Sequence, residues 1–219
     1  MNSSSVDRAP KMRKKRPLKR VDGVHRDAIL VVIASEDRYA VKQYFDLFKS
    51  TQIQFRVLET DDGRSSPQQV MSRLDEYIEE HQFGDGDQFW FVADTDHWIE
   101  SNHIQNLVEV ARLCRQKGIQ VALSNPCFDL WLLLHFDDFP AEQSLSCSAI
   151  ADRIRSVVGA FNKTKVFRLP IDNASVANAI ARSSANYDAS AIIPENLQTA
   201  LHSIIQQLVA EGIIKIPGQ

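Results

Sequence analysis

The chain contains 219 residues, 44% of them hydrophobic and 24% charged, and carries a formal net charge of −3. This length suits a single α/β core, and the composition is that of a globular protein rather than of a disordered one. No apolar stretch approaches the ~20 residues of a membrane span, and the N-terminus lacks the apolar stretch of a secretory signal. We therefore expect a cytoplasmic protein that does not contact membranes.

The N-terminal segment is strongly basic. Residues 1–20 hold eight basic side chains and one acidic side chain, which gives this segment a charge of about +7 and leaves the remainder at about −10. We predict that residues 1–26 form a flexible arm that tethers nucleic acid through its phosphates. A solvated terminus without any partner explains the composition equally well. The predicted tether residues are Lys11, Arg13, Lys14, Lys15, Arg16, Lys19 and Arg20.

Beyond this arm, short apolar runs alternate with helical patterns. The runs are rich in β-branched and aromatic residues and predict buried strands at residues 28–34, 53–58, 88–93 and 119–123. The first intervening helix carries an apolar stripe from Val41 to Phe48. The second begins at Ser66, where Gln69 is placed for a capping box, and the third spans about residues 101–117 before Gly118.

A βαβαβαβ order predicts an α/β fold with a mostly parallel sheet. We expect four strands in the order 2-1-3-4, flanked by helices, within residues 27–140. Residues 141–219 are predicted to form a helical extension that packs on this domain. Its apolar stripes are Ile150, Ile154, Val157 and Val158, then Val176, Ala179 and Ile180, then Leu197, Leu201, Ile204, Ile205 and Leu208.

Three acidic residues follow two of the predicted strands. Asp94 and Asp96 come directly after the third strand, and Glu36 follows the first. These strands are neighbours in the order 2-1-3-4, so their carboxyl ends meet at the switch point of the sheet, where ligands bind. Carboxylates there predict a site for Mg²⁺ or Mn²⁺. The plainer alternatives are a turn for the aspartates and a helix-start role for Glu36, which Asp37 could fill equally well.

A glutamate after the first strand and Asp-x-Asp after the third resemble the Toprim domain of topoisomerases, primases and OLD-type nucleases. Residues 124–136, Ser-Asn-Pro-Cys-Phe-Asp-Leu-Trp-Leu-Leu-Leu-His-Phe, resemble a block of the RloB-like family of bacterial restriction and phage-defence loci, often found beside an ATPase gene. The resemblance implies a metal-dependent nuclease with Glu36, Asp94 and Asp96 as catalytic metal ligands. It also implies nucleic acid and an ATPase as partners; a homo-oligomer stays open.

The resemblance also draws attention to residues outside the acid triad. Lys163 and Lys165 lie in a segment similar to the family's Tyr-Lys-Lys, and related OLD-type nucleases use a lysine to stabilise charge on phosphate. The resemblance implies this role for Lys163, with Lys165 as the alternative, although most loop lysines face water. Asp129, Asn125 and His97 are candidates for supporting the metal ligands. Their alternatives are helix-start electrostatics for Asp129, a turn for Asn125 and a solvent-facing loop position for His97.

One segment departs from the family pattern. The family typically shows Cys-Glu-Gly-Glu-Lys-Thr-Glu-Pro, whereas residues 35–42 read Ser-Glu-Asp-Arg-Tyr-Ala-Val-Lys, so Glu36 alone is retained among its acids. The altered loop favours an alternative function, a non-catalytic adaptor or sensor that partners a defence ATPase.

The three cysteines give no pairing signal. Cys114, Cys127 and Cys147 are an odd set without close pairing or metal-ligand spacing. We therefore expect buried free thiols in a reducing compartment rather than a disulfide or a zinc site.

Overall fold

The computed structural model describes residues 28–60, 64–100, 103–142, 144–212 and 214–215. The basic arm predicted at residues 1–26 lies outside these ranges. Within them, a five-stranded, mostly parallel sheet combines with eight α-helices into an α/β fold. None of the helices in the described ranges has the length and apolar character that a membrane crossing requires.

The four predicted strands form the parallel part of the sheet. They are β1 (Ile29–Ser35), β2 (Ile53–Leu58), β3 (Gln88–Asp94) and β4 (Gln120–Asn125). The sheet order is β2-β1-β3-β4-β5, so β1 and β3 are neighbours and their carboxyl ends lie at one edge.

The predicted count of four strands is wrong by one. A fifth strand, β5 (Gln198–Thr199), pairs antiparallel with the end of β4. Two residues are too few to show the alternation of apolar and polar side chains that marks a strand, so this segment was predicted as helical. The residues predicted as an extension thus contribute to the sheet itself.

The helices follow the predicted order with one division. The predicted helix at residues 101–117 begins later in the structure, and a separate short helix precedes it. The capping box at Ser66 is present, with Gln69 as its partner. The helices are α1 (Ala40–Asp46), α2 (Pro67–Glu80), α3 (Asp96–Glu100), α4 (Ile104–Gln116), α5 (Asp129–Leu133), α6 (Cys147–Val158), α7 (Asn173–Ala185) and α8 (Leu201–Ala210), with a 3₁₀ helix at Lys163–Arg168.

Apolar cores lie on both faces of the sheet. Alternate residues of β1 point to opposite faces, so Val31 and Ile33 enter one core and Val32 and Ala34 the other. This confirms the interpretation of β1 as a strand covered on both sides, because all four side chains are fully buried.

The C-terminal residues share one of these cores. Trp131, Ile150 and Leu201 belong to the same buried cluster as Tyr44, so this core continues across the predicted boundary at residue 140. The predicted stripe of α6 is only partly correct, because Val157 is 46% exposed. The division into an α/β domain and an extension stays a prediction.

Candidate metal centre

The candidate site lies at the carboxyl edge of β1 and β3. Register pairs Ser35 of β1 with Val92 of β3, so the residues that follow each strand emerge side by side. Glu36 follows Ser35 directly, and Asp94 is the last residue of β3. The topology therefore brings together acids that are far apart in the chain.

Glu36 uses both carboxylate oxygens against the neighbouring strand end. Its Oε1 accepts a hydrogen bond from the backbone N–H of Asp94 at 2.5 Å, and its Oε2 accepts one from the indole N–H of Trp98 at 3.3 Å. Burial raises the pKa of Glu36 to about 7; these hydrogen bonds partly offset the increase, and the charge of Asp96 adds to it. The carboxyl group of Glu36 therefore gains or loses its proton near neutral pH.

Asp94 is held between the β4–α5 turn and a lysine. Its Oδ1 accepts a hydrogen bond from the backbone N–H of Phe128 at 2.8 Å, and its Oδ2 lies 4.0 Å from Nζ of Lys163. Burial raises the pKa of Asp94 well above its ordinary value; Lys163 lowers it, and Glu36 raises it further. A negative charge on Asp94 is therefore costly, and Lys163 compensates only part of that cost.

Asp96 starts α3 and faces the C-terminal segment. Its Oδ1 accepts the backbone N–H of His97 at 2.7 Å, and its Oδ2 lies 2.9 Å from Sγ of Cys147. The preceding residue, Thr95, donates its backbone N–H to the carbonyl oxygens of Ser124 and Pro126 at 2.9 and 3.0 Å. These bonds fix the acid pair against the end of β4.

Lys163 brings a positive charge to the acids. Its Nζ lies 3.7 Å from Asp37 Oδ2 and 4.0 Å from both Asp94 Oδ2 and Asp129 Oδ1. Burial lowers the pKa of Lys163, but the carboxylates of Asp94, Asp129 and Asp37 outweigh it and raise the pKa to about 12. The ammonium group stays protonated throughout the physiological pH range.

Two further acids complete the surroundings of Lys163. Asp129 is 4% exposed, its Oδ1 has no hydrogen-bond partner, and burial raises its pKa. Asp37 Oδ1 accepts the backbone N–H groups of Tyr39 and Ala40 at 2.7 and 2.5 Å, which caps α1. Asp37 thus fills the helix-start role, and Glu36 remains directed at Asp94.

The other predicted residues lie in different surroundings. Asn125 donates from Nδ2 to the carbonyl oxygen of Pro194 at 2.9 Å, so its amide faces the C-terminal segment. His97 is exposed and lines the cleft. His135 is buried and hydrogen-bonded to the Tyr44 hydroxyl and the Trp131 carbonyl, and burial lowers its pKa to about 4. This histidine therefore has a structural role.

The acids open into a cleft of about 430 Å³. Its lining residues include acidic and basic side chains, and one of them, Tyr39, is an exposed aromatic residue. The lining residues are Glu36, Asp37, Arg38, Tyr39, Asp94, Asp96, His97, Lys163 and Thr164.

The residues present fit a hard divalent cation by their chemistry. Oxygen donors are the ligands that Mg²⁺ and Mn²⁺ prefer. The pKa values of Glu36 and Asp94 are raised chiefly by burial and further by neighbouring acids, and a bound cation would offset both effects. The carboxylate oxygens of Glu36, Asp94 and Asp96 do not all lie within 4.8 Å of one another. Among the described residues, the donor atoms of one set of three lie within 4.8 Å of each other, and this set is Asp96, Cys127 and Cys147.

The expectation of three free thiols is wrong. Cys127 and Cys147 form a disulfide whose Cα atoms are 6.1 Å apart, and Cys114 is a buried free thiol. Cys127 lies in the β4–α5 turn and Cys147 begins α6, and only the packing of α5 against α6 brings them together. The spacing of the cysteines in the sequence does not predict that packing.

Sequence reasoning missed two residues at this site. Trp98, which binds Glu36, lies two positions after Asp96, and its place near the acid pair was the one available signal. Cys147, which contacts Asp96, lies beyond the predicted domain boundary and offered no signal.

The fold and the cleft define an α/β protein with an acidic site at the carboxyl edge of its parallel strands. Its residues 31–208 match the family model described as RloB-like protein. The chain therefore belongs to the RloB-like family. No curated protein and no solved structure matches the chain.

Proposed function

We propose that this RloB-like protein is a Toprim-like, metal-dependent phosphodiesterase that cleaves nucleic acid in prokaryotic antiviral defence. The observation that carries this function is the convergence of Glu36, Asp94 and Lys163 in one cleft, with the pKa of both acids raised. Burial of like charges costs stability, and such costly clusters concentrate at functional sites.

Three acids of the cleft act as metal ligands in this function. Glu36, Asp94 and Asp96 would hold one or two Mg²⁺ or Mn²⁺ ions, and such an ion would supply an activated water and positive charge for the phosphoryl group. The N–H groups of Phe128 and Trp98 orient the carboxylates of Asp94 and Glu36.

Lys163 adds a fixed positive charge for the phosphate. Its ammonium group points into the cleft among Asp37, Asp94 and Asp129. A preorganised cation at such a position stabilises charge that develops on the phosphoryl oxygens. Asp129, buried behind it, acts as a positioning residue that keeps the lysine charged and directed at Asp94.

The partners in this function are nucleic acid and a defence ATPase. The basic residues 1–20 supply the attraction that the acidic remainder of the chain lacks. The ATPase is proposed because genes of this family often lie beside an ATPase gene. No contact among the described residues bears on it.

Cleavage assays test the function directly. Single- and double-stranded DNA and RNA are incubated with the full chain in Mg²⁺, Mn²⁺ or EDTA, with and without the neighbouring ATPase. We expect cleavage that needs the metal and is lost in Glu36→Gln and Asp94→Asn. The matched control is Asp75→Asn, which removes a surface ion pair with Lys117. Cleavage that persists in EDTA or in both acid variants rules out this mechanism.

A second candidate is a non-catalytic adaptor or sensor with the same fold. One observation favours it: the protein's own Lys163 lies 3.7–4.0 Å from three of the acids and partly neutralises them without a metal. An adaptor binds its ligand or its ATPase with equal affinity in EDTA and Mg²⁺ and cleaves nothing. A rise in unfolding temperature with Mn²⁺ that Asp94→Asn removes contradicts the adaptor.

A further inference from the structure

Two exposed aromatic rings lie on elements that line the acidic cleft. Tyr39 is 43% exposed and lines the cleft from the start of α1. Phe167 is 57% exposed and lies on the 3₁₀ helix that begins with Lys163. Thr164 of the same helix lines the cleft. Three Cα–Cα steps separate Thr164 from Phe167, so their Cα atoms are no more than about 11 Å apart.

Each ring carries a guanidinium group on it. Arg38 Cζ lies 5.4 Å from the centroid of Tyr39, and Arg168 Cζ lies 5.8 Å from the centroid of Phe167. An aromatic face beside a planar cation is the combination on which nucleic-acid bases stack, while the cation also meets phosphate. The same arrangement therefore occurs twice, once at the cleft and once on the 3₁₀ helix that contributes Lys163 and Thr164 to it.

The two elements are fixed to each other. Gln43 of α1 donates from Nε2 to the carbonyl oxygen of Thr164 at 2.9 Å. Val166 of the 3₁₀ helix is fully buried in the core that also contains Tyr44 of α1. The rings thus stand on anchored supports, and little conformational entropy is lost when a ligand stacks on them.

We propose that the cleft takes single-stranded nucleic acid, with unpaired bases stacked on Tyr39 and Phe167. This deepens the proposed function and rests on it for the assignment of the cleft to nucleic acid. The faces of paired bases are covered within a duplex, so the rings engage only unpaired or extruded bases. Arg38 and Lys163 line the same cleft and supply positive charge for the phosphates beside the stacked bases.

Equilibrium binding of the full chain tests this specificity. The probes are fluorescein-labelled 12-mers of oligo-dT and oligo-U and a hairpin duplex, measured by anisotropy in EDTA so that no cleavage occurs. We expect Tyr39→Leu and Phe167→Leu each to weaken the single-strand complexes about tenfold, within the range for loss of one stacked base. Tyr39→Phe keeps a ring and restores the affinity. The duplex affinity stays unchanged in all variants.

The control variant is Tyr77→Leu, which removes a half-buried ring of α2 that stacks on His81, directly after this helix, rather than at the cleft. Single-strand affinity that survives both cleft variants overturns the inference, as does equal weakening of duplex binding or weakening by Tyr77→Leu. Oligo-dT and oligo-U distinguish DNA from RNA. If stacking is confirmed and no substrate is cleaved, the nuclease function fails alone; if cleavage occurs without ring dependence, the inference fails alone.

Discussion

The carboxylate of Glu36 accepts the backbone N–H of Asp94 at 2.5 Å, which joins the residue after β1 to the last residue of β3. The two strands are parallel neighbours in the sheet, so their carboxyl ends lie side by side and a bond between these two residues can form. Glu36 therefore belongs to the cleft rather than to the start of α1, where Asp37 accepts the amide groups.

A substitution that removes the charge of Asp94 is expected to affect cleavage and stability differently. We expect Asp94→Asn to abolish metal-dependent cleavage and to leave the free energy of unfolding in EDTA unchanged or higher by about 1 kcal/mol. The Asn oxygen still accepts from Phe128, and repulsion from Glu36 disappears. Urea unfolding with and without Mn²⁺ measures both effects, because saturating metal stabilises a protein that binds it by about 3 kcal/mol at 100 times Kd. An Asp94→Asn protein that cleaves at the original rate contradicts the mechanism.

Lys163 stabilises the acids that surround it. We expect Lys163→Gln to lower the free energy of unfolding by about 1–2 kcal/mol at pH 8, a modest value because the side chain is 41% exposed to solvent. The loss is smaller at low pH, because the raised pKa values of Asp94 and Asp129 let these acids take up a proton more readily than ordinary carboxyl groups. Lys163→Arg retains the charge. The control is Lys165→Gln on the same helix, whose side chain is exposed; an equal loss in both variants contradicts the role of Lys163.

The pKa of Glu36 predicts how stability without metal depends on pH. Its folded pKa of about 7 exceeds its ordinary value of 4.5, so the folded state binds the proton more tightly than the unfolded state. The resulting stability is fully present below pH 4.5 and is lost as pH rises through 7, by up to about 3 kcal/mol. Urea unfolding in EDTA from pH 5 to 8.5 measures this slope. Glu36→Gln flattens it, whereas Glu79→Gln, on the exposed side of α2, leaves it intact.

The sequence predicts those features of the fold and site that depend on local patterns and on sheet topology. Apolar runs predict β1 to β4, and the parallel order of these strands predicts that Glu36 lies beside Asp94. The capping pair Ser66 and Gln69 located the start of α2. Such features are local or follow from the handedness of βαβ connections.

The remaining features depend on packing between distant segments. Lys163 was singled out only by family resemblance, because no periodicity indicates that a loop lysine turns toward Asp129. The two-residue β5 and the disulfide likewise arise where the C-terminal segment packs against β4 and α5. Asn125 lies at the correct strand end, but its amide binds Pro194, a contact that sequence position could not reveal.

The basic N-terminal arm predicts a change in salt dependence. Residues 1–20 lie outside the described ranges, and the prediction rests on their charge of about +7. We expect their deletion to weaken binding of all nucleic-acid sequences alike and to flatten the dependence of log K on log salt, since each phosphate contact contributes about −0.9 to the slope for duplex DNA. Turnover of bound substrate stays unchanged. Equal affinity and equal slope after deletion leave the arm without a tethering role.

The disulfide joins two segments that contact the acid pair. Cys127 precedes Phe128, whose N–H binds Asp94, and Cys147 contacts Asp96. The bond closes a segment with a sequence separation of 20, for which loop-closure entropy gives about 3 kcal/mol. We expect dithiothreitol or Cys147→Ala to lower the free energy of unfolding by about this amount.

Urea unfolding with and without dithiothreitol measures this stabilisation, and Cys147→Ala is the matched control because dithiothreitol then has no further effect. Thiol titration of the denatured protein without reductant distinguishes the states: the disulfide leaves Cys114 as the one reactive thiol. Three reactive thiols in protein purified under air contradict the bond. In that case Cys127 and Cys147 lie beside Asp96 as free thiols, and dithiothreitol leaves the stability unchanged.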